Sequence, residues 1–364
     1  MTVALSSTPA VAETPVPHLP DPTGRHEVGV TSVYLNDTSR PDPWMSDVDS
    51  RELMVSLFYP TASTAGPVKK YLTPAESRAL LADGGITTVP PDALSTVRTN
   101  AVVDARPSGR PRSRPLVVLS PGFKKPRATL SSIAEDLASH GYVVAVVDHT
   151  YENVVTTFPD GRVTDCAACG QYDLPFWRKL SRGRAADVSF VLDELTGPHP
   201  RWRGAHLIDP RHIAMGGHSV GGASTIDAML ADHRIRAGVD IDGTLDAPIP
   251  DSGLDRPFMF LGRANTYTPG TPGGAAESWE QSWPRLTGWR RWLVVAGMEH
   301  ASFTDIGVLA EQFGLDLGAD TGGDRGAAIT RRYVRAFFDL HLRGERQPLL
   351  ERPSSRFPEV SVVG

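Results

Sequence analysis

Cysteine is almost missing from this chain: there are two in 364 residues, Cys166 and Cys169, in the run Asp165-Cys-Ala-Ala-Cys-Gly170. Two cysteines cannot staple a chain of this length, and a chain this long can bury a sufficient core without staples. A zinc site would need two more ligands at suitable spacing, and none accompanies the pair. Long apolar runs are missing too. No stretch of about 18 apolar residues occurs, so no transmembrane helix is expected. Lysine is scarce, with five among the 37 basic residues, while glycine (34) and proline (31) are abundant. We read that imbalance as compositional bias rather than function. A formal net charge of −5 spread over the chain argues against a nucleic-acid binder led by phosphate neutralisation. What remains is 40% hydrophobic and 22% charged, the composition of a globular protein.

Residues 1–24 contain five prolines and little periodicity, and a disordered lead-in is expected there. Within it, Ala10-Val11-Ala12 before Glu13 has the small-residue character of the end of a secretory signal, although no basic segment precedes it. Export is therefore expected, with a cytoplasmic protein carrying a Pro/Ala tail as the alternative.

Residues 25–364 read as one domain. Glu27–Leu35 and Glu52–Tyr59 are strand-like, and Thr73-Pro74 with Glu76 marks a helix start over 74–83. Residues 60–114 are otherwise mixed, and the arginine-rich run 106–114 is read as a solvated loop. From Leu116 a regular alternation begins. Strands are expected at Leu116–Leu119, Tyr142–Val147, Ile213–Met215, Ala237–Ile241, Phe258–Leu261 and Trp292–Val295. Helices are expected at 128–140, 176–195, 220–231 and 326–343. Continuous apolar runs are typical of strands buried on both faces, and strand–helix alternation implies a mostly parallel sheet flanked by helices.

Gly217-His218-Ser219-Val220-Gly221 fits G-x-S-x-G between an apolar strand and a helix, where the pattern gains its force. A nucleophilic serine belongs on such a turn, with glycines allowing neighbouring chain to pass close by. Serine needs a base, and the base needs an orienting acid. Of the later histidines, His233 closes the helix after the elbow and His341 lies within the last helix. His300 follows the last strand of the alternation and is the candidate base. His218 points away from its neighbour Ser219 and reads as structural. For the acid, the loop after Phe258–Leu261 offers no carboxylate. One strand earlier, Asp242 stands at the end of Gly238-Val-Asp-Ile-Asp242-Gly243 and is preferred, with Asp240 and Glu299 as alternatives. The N–H groups of Val220 and Phe123, the latter in Ser120-Pro-Gly-Phe123, are candidate oxyanion donors.

These residues carry a resemblance. Arg51-Glu-Leu-Met-Val-Ser-Leu-Phe-Tyr-Pro60, Ser120-Pro-Gly-Phe123, Leu130–Tyr142, Val147-Asp-His149, Gly217–Gly222, Val239-Asp-Ile-Asp-Gly243 and His300-Ala-Ser-Phe-Thr-Asp305 resemble the type II platelet-activating factor acetylhydrolase group of the α/β-hydrolase superfamily. Features are shared with bacterial lipase-cutinases and dienelactone hydrolases. The resemblance implies an α/β-hydrolase fold, an acid after the strand that follows the nucleophile helix (Asp242), and an oxyanion donor at Phe123. An aromatic at the Phe123 position is common in cutinase-like members, which leaves phospholipid and polyester substrates both open.

The expectation is a serine carboxylic ester hydrolase using Ser219, Asp242 and His300, with no metal or organic cofactor. Its partner is a small-molecule, lipid or polymer ester. A polyester hydrolase or an acyltransferase is the alternative. Cys166 and Cys169 are read as a local disulfide. Trp279, Trp283, Trp289 and Trp292 are read as packing between helix and sheet. Tyr151, Phe158 and Trp177 are candidates to line the substrate pocket.

Overall fold

The computed structural model describes residues 16–364. The antiparallel entry consists of β1 (Glu27–Asp37) and β2 (Arg51–Thr61), followed by β3 (Val68–Lys70), α1 (Pro74–Asp83) and β4 (Arg98–Val103). The alternation then runs β5 (Arg114–Ser120), α2 (Ser131–Ser139) and β6 (Val143–His149). A small hairpin of β7 (Thr156–Thr157) and β8 (Val163–Thr164) precedes the long helix α3 (Leu174–Thr196). β9 (Ile208–His218), α4 (Val220–Ala231), β10 (Ile235–Ile241), β11 (Phe258–Arg263), α5 (Ala264–Tyr267), α6 (Ala275–Ser282) and β12 (Arg290–Val295) follow. The chain closes with α7 (Asp305–Gln312), α8 (Gly323–Arg343) and β13 (Val360–Val362).

Local chemistry sets several boundaries. Thr73 and Glu76 form a reciprocal capping box at the start of α1, with Pro74 in its first turn. Gly344 ends α8 in the left-handed conformation (φ 71°). Along α8, Val334, Phe337, Phe338 and Leu342 form a buried stripe against the sheet. Each such side chain contributes about 1.5–3 kcal/mol by leaving water.

Eleven strands form one sheet in the order β13-β12-β11-β10-β9-β5-β6-β2-β1-β4-β3. From β12 to β6 every neighbouring pair is parallel. β2 pairs antiparallel with both β1 and β6. One face of the sheet is covered by α3, α4 and α6, and the other by α2 and α8. This is the α/β-hydrolase fold, and it brings the carboxyl ends of β5, β9, β10, β11 and β12 to one edge.

The disorder expected for residues 1–24 needs correction over 16–24; residues 1–15, and with them Ala10–Ala12, lie outside the described residues. Leu19 is buried in a side cluster with Tyr71, Leu72, Leu80 and Leu81, and its N–H donates to the Arg98 carbonyl at 2.9 Å. The Thr23 N–H donates to Asp136 and the Gly24 N–H to Ser139 Oγ, both at 2.9 Å. One apolar anchor and partners for the backbone replace the periodicity that the segment lacks.

Asp305 starts α7, is fully buried, and accepts hydrogen bonds from the N–H and hydroxyl of Ser132 on α2. Burial, followed by the nearby Glu135 charge, pushes its carboxyl up to about 8 against the pull of the Ser132 bonds. The folded protein then keeps a proton that the unfolded chain has released, so stability is lost as pH rises from about 4 toward 8. Asp305→Asn removes that titration. Its melting temperature relative to wild type should climb steadily between pH 5 and 8, and a constant difference across that window would contradict the assignment.

Candidate active site

The turn between β9 and α4 is built from close backbone contacts. Ser219 sits in the left-handed region at φ 57°, ψ −130°, a strained position for a non-glycine residue. Its N–H donates to the Ile241 carbonyl at 2.8 Å. The flanking glycines are there for space. A Cβ on Gly217 would overlap the backbone of Gly221 and the Ser120 carbonyl, and one on Gly221 would overlap the carbonyls of Ser120 and Pro121. The elbow therefore packs directly on the loop after β5. A Cβ added to Gly122 in that loop would stand 3.4 Å from Ser219 Cβ.

Asp242 and His300 meet beside this turn. Asp242 Oδ2 lies 2.5 Å from His300 Nδ1, and Asp242 Oδ1 accepts the Arg263 N–H at 2.8 Å. The carboxylate is buried, whereas the His300 side chain is 44% exposed. Its other nitrogen, Nε2, has no hydrogen-bond partner among the described residues. Asp242 also has a left-handed backbone (φ 56°), which turns its side chain from the end of β10 across toward β12. His218 donates Nε2–H to the His300 carbonyl at 2.8 Å. Burial, with the neighbouring His300 next, pushes His218 well below the usual imidazole range, so it stays neutral and holds the backbone of the candidate base.

The alternative acids are engaged elsewhere. Asp240 is fully buried beneath the elbow and accepts the Gly243 N–H at 2.9 Å. Burial and the adjacent Asp242 charge push its carboxyl well up. Glu299 accepts from Asn265 at 2.9 Å and faces Arg263 at 3.5 Å. Arg263, in the loop that offers no carboxylate, supports Asp242 instead and has no motif of its own in the sequence. Its backbone orients Asp242, and its guanidinium lies 3.6 Å from the same carboxylate.

The two N–H groups considered as oxyanion donors have no acceptor among the described residues. Val220 begins α4, where the first N–H groups have no intrahelical partner and the helix dipole favours negative charge. The Gly122 carbonyl accepts the Lys125 N–H at 3.2 Å. In a trans peptide this turns the Phe123 N–H the opposite way. Neither Val220 nor Phe123 donates its N–H to any described residue.

The ligand atoms of His218, Asp242 and His300 lie within 4.8 Å of one another, a spacing that could also hold a cation. The Asp242–His300 bond and the His218 bond to the His300 carbonyl account for the cluster without one.

Aromatic side chains border the site. The Phe123 ring contacts Tyr172, Phe176 and Trp177 with centroids 5.4–5.5 Å apart, and Tyr172 is exposed. Trp177 is thus a rim residue. Phe158 is not, since it packs against Tyr34 beneath Arg162. Tyr151 lies on the same side loop, where its carbonyl accepts the Ala168 N–H at 2.9 Å. Cys166 and Cys169 are bonded to each other in that loop. Trp279 and Trp292 are buried against Phe260 in the core. The Trp279 indole also donates to the Gly243 carbonyl at 2.7 Å, bracing the turn that carries Asp242.

Comparison with known proteins gives a consistent set of relatives. Residues 12–168 match the family described as platelet-activating factor acetylhydrolase, isoform II. A probable 1-alkyl-2-acetylglycerophosphocholine esterase of Arthroderma benhamiae is 29% identical over 381 residues, spanning 94% of this chain and 92% of the relative. The bis(hydroxyethyl) terephthalate hydrolase of Streptomyces coelicolor is 26% identical over 198 residues, spanning 46% of this chain and 55% of the relative. The solved structure of a ferulic acid esterase from Streptomyces cinnamoneus is similar with a TM-score of 0.86 and 41% identity, over 96% of this chain and all of that one.

The packing of the elbow yields a paired prediction. Gly221→Ala forces a methyl group into the Ser120 carbonyl and should destabilise the fold by about 1–3 kcal/mol or more. Gly183→Ala on α3 meets nothing within 4 Å and should be neutral or stabilising by up to about 1 kcal/mol. Denaturant melts of both variants check this, and equal effects would contradict it.

Proposed function

The chain belongs to the platelet-activating factor acetylhydrolase II-like family of α/β-hydrolases and is a carboxylic ester hydrolase; on that premise we propose that Ser219, His300 and Asp242 are its catalytic triad. The observation that carries the reading is the Asp242–His300 hydrogen bond beside a serine held in a left-handed turn. In this mechanism His300 Nε2 takes the hydroxyl proton as Ser219 Oγ attacks the ester carbonyl. Asp242 keeps the imidazole in one tautomer and stabilises its cation. The Val220 and Phe123 N–H groups hold the tetrahedral oxyanion. His300 then gives its proton to the leaving alcohol, and acyl-Ser219 remains. A water molecule, deprotonated by His300, attacks the acyl-enzyme, and the acid leaves as the serine recovers its proton.

Lipid or short-acyl esters are the first substrate reading, in line with the name of the Arthroderma relative. A second reading, aromatic esters and polyesters, is favoured by the rings of Tyr172, Phe176 and Trp177, which meet Phe123 edge to face and gather aromatic side chains beside the proposed oxyanion loop. Residues 25–364 act as one catalytic domain in this account. Export is supported by the paired cysteines, which suit an oxidising compartment. No helix among the described residues is long and apolar enough to cross a membrane.

The test is burst-phase hydrolysis of p-nitrophenyl esters from acetate to palmitate, alongside a methyl hydroxycinnamate. Ser219→Ala should lower kcat by several orders of magnitude, and Asp242→Asn by about 10⁴-fold if it leaves the wrong tautomer in place. Near-wild-type turnover in Asp242→Asn with an inactive Asp240→Asn would overturn the choice of acid. A preference for short acyl chains favours the lipid reading, and a preference for the hydroxycinnamate favours the aromatic one.

A further inference from the structure

Directly behind the loop that carries Phe123 lies a second Ser–His–Asp arrangement, and it is entirely buried. Ser120, the last residue of β5, places Oγ 2.9 Å from His149 Nε2. His149, the last residue of β6, places Nδ1 2.7 Å from Asp187 Oδ2 on α3. Each of the three is 0% exposed, so this serine cannot meet a substrate.

The proton arrangement follows from the surroundings. Although burial alone would raise the Asp187 carboxyl, Arg51 at 2.9 Å holds it well below the usual carboxylate range. Burial, with the Arg184 charge next, lowers His149 and keeps it neutral. A neutral His149 therefore donates Nδ1–H to Asp187 and accepts the Ser120 hydroxyl proton at Nε2. The lone pairs of Ser120 Oγ are left to accept from Arg184 Nη1 at 3.1 Å. Arg184 also donates to the Pro121 carbonyl, and its Nε pairs with Glu152 Oε2 at 2.7 Å.

We propose that Ser120, His149, Asp187 and Arg184 form a positioning network that sets the oxyanion-binding loop, fixing where the Phe123 N–H points. The loop is gripped at both ends. At its start, the Ser120 side chain and Pro121 carbonyl are held by His149 and Arg184. At its end, the Lys124 N–H donates to the Glu152 carbonyl at 2.9 Å and the Lys124 carbonyl accepts the Val154 N–H at 3.1 Å. Glu152, bonded to Arg184, joins the two grips. At the second grip Lys124 takes a left-handed backbone (φ 66°), a strained conformation for a non-glycine that persists only where the surroundings impose it. An oxyanion hole works because its donors are already in place when charge develops, and losing one donor costs about 10²–10³ in rate. Ser120 and its partners thus act through Phe123 and never touch the substrate.

This inference rests on the triad reading, and the experiment separates the two. Ser120→Ala removes one hydroxyl without adding bulk. Arg184→Lys keeps the charge but cannot reach Ser120, Pro121 and Glu152 together. Each folded variant is assayed for kcat, KM and inhibition by a boronic acid whose serine adduct mimics the tetrahedral intermediate. The expected result for both is a fall in kcat of about 10-fold or more with KM within about twofold, and a matching loss of boronic acid affinity. A network that only supports the fold would lower the melting temperature and leave kcat and boronic acid affinity at wild-type values. That outcome in either folded variant overturns the proposal. If Ser219→Ala is inactive while Ser120→Ala matches wild type, the positioning role alone falls; if Ser219→Ala retains full activity, the triad reading itself falls.

Discussion

The contact on which the rest depends is between two pieces of backbone. The elbow at Gly217–Gly221 presses against the carbonyls of Ser120 and Pro121 so closely that neither glycine tolerates a Cβ. That approach brings the first turn of α4 and the loop after β5 together on one side of Ser219. The proposed oxyanion donors Val220 and Phe123, whose N–H groups donate to no described residue, lie on these two segments, roughly a hundred residues apart in the chain. Ser219 itself has a left-handed backbone, a strain of about 1–3 kcal/mol that the surrounding packing offsets. In this view the proposed oxyanion hole and nucleophile are one packing event, and the buried charged network beneath them keeps the loop from relaxing away.

The proposed acid is carried by a second constrained turn. Asp242 leaves β10 in a left-handed conformation, braced by Trp279 through the Gly243 carbonyl and by the Gly243 N–H bond to Asp240. The tryptophan-rich stretch is therefore more than core filling, since one of its indoles braces the turn that carries Asp242. Asp240, on β10, and Asp242, just past its end, illustrate how environment divides roles. One carboxyl is pushed upward by burial under the elbow, and the other receives an N–H from Arg263 and faces an imidazole.

Much of this was legible in the sequence, for physical reasons. The strands β5, β6 and β9–β12 contain apolar runs and α2, α3 and α8 carry amphipathic stretches, so periodicity locates them, whereas β7, β8, α5, α6 and α7 are too short for it to do so. The limits of α1 and α4 were read directly, because a capping box marks one and the elbow the other. The order of serine, acid and base along the chain followed from the strand ends. The short strands β3, β4 and β13 were not legible, since three to six residues carry little periodicity and their pairing is decided by distant chain. Leu19 was missed for the same reason, its burial depending on α1. The proposed positioning network has one signal in the sequence. Arg184 and Asp187 occupy the same stripe of α3 as Leu180 and Val191, at spacings of three and four residues, where charge is costly unless paired.

The protein carries two Ser–His–Asp sets along one sheet edge, the proposed triad of Ser219, His300 and Asp242 and the fully buried set of Ser120, His149 and Asp187. Covalent labelling tests that distinction most directly. The folded protein would be treated with a fluorophosphonate, and the adduct located by intact-mass and peptide mass spectrometry. One adduct per chain is expected, on the peptide containing Ser219, with ester hydrolysis lost in proportion to labelling. An adduct on Ser120, or full labelling elsewhere while ester hydrolysis persists, would contradict it.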